Sequence, residues 1–127
     1  MSQTLTGGCL CGNIRLTAVN PHSPHTCSCD ICQKHTGCQT AAWLEFSSAE
    51  VDWNGQGGKP ALYRSSAGSS RAFCPTCGSS LGAIDDGPLT ALLIGVFDHN
   101  NEALFAPEYH AFEDMKPAWW QGCADLS

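Results

Sequence analysis

The chain has 127 residues, 43% hydrophobic and only 14% charged, which suits one folded domain over 1–127 better than a disordered chain. Six Lys and Arg face twelve Asp and Glu, and a net charge of −6 argues against a nucleic-acid partner. No run approaches the roughly 20 apolar residues of a membrane span, and Met1–Gly8 lacks the basic start and apolar stretch of an export signal. A reducing, cytoplasmic setting without membrane contact is therefore expected.

Thirteen glycines and seven prolines favour a turn-rich, mainly β fold with few short helices. Asn13–Val19 alternates, with Ile14, Leu16 and Ala18 on one face, and predicts a strand. Asp30–Thr36 predicts the one short helix of the first half, stopped by Gly37. Thr40–Phe46 alternates again through Ala42, Leu44 and Phe46. Ala61–Arg64, Arg71–Phe73 and Ser79–Ile84 predict shorter strands, and Leu89–Phe97, the most apolar run, a central one. Clusters such as Asn54-Gly-Gln-Gly-Gly and Asp85-Asp-Gly-Pro separate them. From Ala106 onward, Pro107 and Pro117 predict loops with at most one helical turn.

Nine cysteines cannot form a complete disulfide framework in a monomer. Seven are clustered: Cys9-Leu-Cys11, Cys27-Ser-Cys29-Asp-Ile-Cys32 and Cys74-Pro-Thr-Cys77. Such spacing fits chelation. Thiolates bind zinc at about 2.3 Å, so neighbouring sulfurs must lie within about 4 Å, and short spacers permit that. Gly78 allows the positive φ that closes a knuckle turn. Cys9, Cys11, Cys74 and Cys77 together make a closed four-thiolate set of the structural kind. Cys27, Cys29 and Cys32 supply only three ligands and leave a fourth position for water or substrate. Cys38 either completes that triplet or, the favoured reading, is a small buried hydrophobe on a strand. Cys123 reads as a bystander, and His25 as loop surface or an outer partner of Cys27.

In this order the motifs resemble the glutathione-dependent formaldehyde-activating enzyme family. The matching pieces are Gly8-Cys-Leu-Cys-Gly12, Cys27-Ser-Cys-Asp-Ile-Cys-Gln-Lys-His-Thr-Gly37, Arg71-Ala-Phe-Cys-Pro-Thr-Cys-Gly-Ser-Ser-Leu81, Pro107-Glu-Tyr-His110 and Lys116-Pro-Ala-Trp119. They span about 7–120, the expected core of the domain. The resemblance implies an Mss4-like (β-tent) fold of antiparallel sheets joined by zinc-binding cysteine knuckles. It implies a structural zinc on Cys9, Cys11, Cys74 and Cys77, and a reactive zinc on Cys27, Cys29 and Cys32. It further implies a carbon–sulfur lyase acting on a glutathione–aldehyde adduct or related small thiol. A noncatalytic thiol carrier and a zinc-stabilised interaction module are the alternatives. Where the family often carries arginine after its last cysteine, Gln33 stands here. Glutathione is anionic, and Lys34 and Arg71, with Arg64 and Lys116, are the cations available to meet it. His110 is the candidate acid, base or fourth ligand. The expected assembly is a monomer or homodimer.

Overall fold

The computed structural model describes residues 4–120, so Cys123 lies outside the described residues. The chain is mainly β. Strands β1 (Thr4–Gly8), β2 (Arg15–Val19) and β5 (Val51–Trp53) form a small antiparallel sheet in the order β1-β2-β5. A seven-stranded sheet holds β3 (His22–Cys27), β4 (Ala41–Ser47), β6 (Ala61–Ser66), β7 (Ser69–Phe73), β8 (Ser80–Asp85), β9 (Leu89–Leu93) and β10 (Tyr109–Ala111). Its order is β10-β3-β4-β9-β8-β7-β6, antiparallel except for β10 beside β3. This is the two-sheet β architecture expected of the β-tent class.

The alternation in the sequence explains how the sheets meet. Leu16 and Ala18 of β2 face Leu44 and Phe46 of β4 and Leu92 of β9, with Leu5, Phe97 and Phe105 closing the same core. Ile14, Ala72 and Leu81 form a second cluster around Cys9 and Cys74. The opposite face of β4 buries Ala41 and Trp43 against Cys27 and Cys32. Strand β4 thus carries the main core on one side and a sulfur cluster on the other.

Helix α1 (Asp30–Thr36) has the expected bounds. Its N-cap is Cys29, in extended backbone, whose sulfur accepts from the Cys32 N–H at 3.3 Å. Gly37 ends it at φ 77°, donating its N–H to Gln33 O at 2.7 Å.

Three expectations change. The run Leu89–Phe97 is a strand only to Leu93, because Ile94–Val96 turns as a 3-10 helix. That turn lets Phe97 leave the large sheet and bridge Gly7 of the small one. The tail after Ala106 is not all loop: β10 pairs in parallel with β3, and a 3-10 turn, Glu113–Met115, follows. Cys38 is exposed in a bend before β4 instead of being buried on a strand.

Candidate metal centres

All eight described cysteines are free thiols, and seven gather into two groups. The sulfurs of Cys9, Cys11, Cys74 and Cys77 lie within 4.8 Å of one another. Cys9 to Cys11 is 3.6 Å and Cys11 to Cys74 is 3.9 Å. A tetrahedron with 2.3 Å metal–sulfur bonds has edges of about 3.8 Å, so four thiolates at this spacing can share one ion. The chain reaches this geometry through two knuckles. Gly12 and Gly78 close them at φ 84° and 81°. Backbone N–H groups aim at the sulfurs: Ile14 donates to Cys9 at 3.2 Å, and Thr76 and Cys77 to Cys74 at 3.4 Å. These contacts stabilise negative sulfur. The Cys77 thiol is drawn down to about 5, first by the Ser79 hydroxyl at 3.2 Å and then by backbone N–H groups.

The second group is Cys27, Cys29 and Cys32, again within 4.8 Å. Strand β3 ends on Cys27, Cys29 caps α1, and Cys32 lies in the first turn of that helix. Cys27 and Cys32 are buried and Cys29 is partly open. The Cys32 thiol is held down to about 5, first by hydrogen bonding with Cys27 and further by Cys29 and the Arg71 guanidinium, against the effect of burial. Cys27 is pushed up as its partner in that sharing. Three sulfur donors on two elements fit a metal with one coordination position left over. Neither Cys38 nor His110 is in this group.

His110 sits on β10 opposite Thr26. Its Nδ1 meets Thr26 Oγ1 at 2.5 Å and its Nε2 meets Ser28 Oγ at 3.1 Å. Ser28 is fully buried between two of the cysteines. His25, expected at a loop surface, is buried in β3 and stacks on Tyr109 with centroids 4.8 Å apart.

A cavity of about 480 Å³ lies between α1 and strands β6 and β7. Lys34 and His35 line one wall, and Tyr63, Arg71 and Phe73 the other. No cysteine lines it, yet Arg71 reaches from its wall to the Cys32 sulfur, Nη1 at 3.6 Å and Nη2 at 3.7 Å. The other two cations lie elsewhere. Arg64 is paired on the exposed surface with Asp86 at 2.5 Å, and the Lys116 ammonium lies 5.8 Å from the Trp120 ring centre.

Sequence reasoning missed Thr26, Ser28 and Ser79. Ser28 and Ser79 stand beside cysteines, and a hydroxyl within two residues of a thiolate ligand is a local signal. Thr26 becomes a partner only through the β3–β10 pairing.

A family model described as glutathione-dependent formaldehyde-activating enzyme matches residues 4–115. A crystal structure of a Rhodobacter sphaeroides protein superposes with a TM-score of 0.65 at 16% identity, covering 84% of this chain and 99% of that one. At that identity the likeness speaks for the fold alone. No curated protein matches the chain significantly.

Proposed function

We propose, on the premise that the chain belongs to the glutathione-dependent formaldehyde-activating enzyme family, that it is a zinc-dependent carbon–sulfur lyase. Its substrate would be a glutathione–aldehyde adduct or a related small thiol. The observation that carries this reading is the three-sulfur group, one donor short of a four-ligand set, joined through Arg71 to a cavity with cationic side chains. A zinc ion on three thiolates supplies a position where a substrate sulfur is stabilised as thiolate well below its free pKa of about 8.5.

The chain's own residues would do the rest. Cys27, Cys29 and Cys32 hold the metal, while Cys9, Cys11, Cys74 and Cys77 hold a second zinc that ties the knuckles together. Lys34 and Arg71 give the cavity the positive charge that an anionic thiol needs inside an acidic protein. In the cleavage direction the adduct hydroxyl loses a proton, the carbonyl forms, the carbon–sulfur bond breaks, and the sulfur leaves with the bonding pair. His110 is the candidate to hold that proton, which would have to pass through the Thr26 or Ser28 hydroxyl, since these occupy both ring nitrogens beside Cys27.

The test is paired. S-hydroxymethylglutathione turnover and glutathione binding are measured on the same zinc-loaded preparation. Turnover above the spontaneous rate, lost in Cys29→Ala, is expected. Binding without acceleration would replace the enzyme reading with a carrier.

A further inference from the structure

Arg71 lies 39 residues from Cys32 in sequence, and its guanidinium is held from three sides. Both terminal nitrogens point at the Cys32 sulfur, at 3.6 and 3.7 Å. The plane lies over Trp43, its central carbon 5.3 Å from the ring centroid, and Trp43 is only 3% exposed. His35 Nδ1 is 3.4 Å from Nη1. Burial first, and then the Arg71 charge, hold His35 below its ordinary value, which favours the uncharged ring beside the guanidinium. The Arg71 Nε is buried with no partner, so among the described contacts the side chain is committed through its two terminal nitrogens.

We propose that Arg71 is a positioning residue for the three-sulfur centre, donating a forked, charge-assisted hydrogen bond to the Cys32 thiolate that fixes this ligand and lowers its electron donation. This deepens the reading above and rests on it for the metal. It divides the labour of the two cavity cations: Arg71 serves the ligand sulfur, and Lys34 is left to meet a carboxylate of the thiol substrate. The physical basis is general. Hydrogen bonds to metal-bound thiolates reduce their donor strength and nucleophilicity, and a guanidinium fork keeps its charge at every accessible pH. Trp43 and His35 hold that fork on the cavity wall, against the Cys32 sulfur.

The experiment reads the Cys32 sulfur directly, with no substrate present. The cobalt-substituted protein reports thiolate-to-metal charge-transfer absorption, and iodoacetamide alkylation of the zinc protein is followed at Cys32 by mass spectrometry. Arg71→Met should move the charge-transfer band to lower energy and speed Cys32 alkylation by about tenfold, the size expected for one charged hydrogen bond. Arg71→Lys should restore part of both effects, and Arg64→Met, which removes a surface cation, should change neither. An Arg71→Met protein that keeps both metals with band and alkylation rate unchanged would overturn the proposal. If Arg71→Met does not fold, Arg71→Gln, which keeps a polar side chain without the charge, decides: a band and alkylation rate identical to wild type would overturn it, and a shift to lower energy would support it. Absence of adduct turnover in the wild-type protein would count against the lyase reading and leave these two readouts standing.

Discussion

Ser28 and Thr26 show how tightly His110 is specified. Ser28 has no solvent exposure and Thr26 only 3%, and both hydroxyls meet the same imidazole. Replacing His110 with Phe would strand two buried hydroxyls at a cost of about 1–3 kcal/mol each, read by urea denaturation. Under the proposed function adduct turnover should fall by about 10²-fold or more in the fraction that remains folded. A loss of stability with kcat intact would make His110 structural only. Phe46 makes a simpler case, being fully buried against Phe97 with ring centroids 6.0 Å apart. Phe46→Ala should cost about 3–5 kcal/mol while leaving both metals bound, as zinc content and a denaturation curve would show. At this scale the division of seven cysteines into a group of four and a group of three was legible in the sequence, because short spacers are a local constraint. The Arg71–Cys32 contact was not, because only the folding of β7 against α1 brings those residues together.

Among the elements, α1 is the most economical. Cys29 caps it with the same sulfur that belongs to the three-cysteine group, so helix initiation and the candidate metal centre share one side chain. Ser80 Oγ, in the strand after the second knuckle, donates to His35 O at 2.8 Å and fastens the helix end to β8. The joint between the sheets is as closely built. A Cβ on Gly7 would stand 2.4 Å from Val96 O, so Gly7→Ala must push apart the β1–Phe97 bridge. We expect a loss of about 1–3 kcal/mol, visible as a lowered urea midpoint without a change in metal stoichiometry. The helix and the alternating strands were readable because their signals are periodic or punctuated by Gly37. Strand β3 was not, since Pro24 and the positive φ of Ser23 break its pattern where a bulge separates His22 from His25. Strand β10 has three residues and pairs in parallel, so no alternation could reveal it.

Across the whole molecule, β7 joins the two centres. Arg71 touches the three-sulfur group, and Cys74, just past the strand end, belongs to the four-sulfur group. A bidentate pair fastens the other side: Arg15 of β2 reaches Asp98 at 2.5 and 3.0 Å, and Thr6 donates to the same carboxylate. These hydrogen bonds, Arg15 first, hold the Asp98 carboxyl down to about 2. Its folded value lies below the unfolded one of about 3.9, so the stabilisation is present above about pH 4 and is lost as pH falls through about 2. The pair is about one-third exposed, and screening keeps its worth within about 1 kcal/mol. The stability gap between wild type and Asp98→Asn should therefore be constant near neutrality and close in acid, and a gap that widens in acid would contradict this sign. The two sulfur groups are unequal, four sulfurs in one and three in the other, and under the proposed function the first closes the fold and the second is open for chemistry. This division of roles is tested most directly by zinc content and thermal unfolding of Cys29→Ala beside Cys77→Ala. Cys29→Ala should keep one zinc per chain and a cooperative melt, whereas Cys77→Ala should lose the knuckle and fail to fold. A Cys29→Ala protein that melts as badly as Cys77→Ala would contradict it.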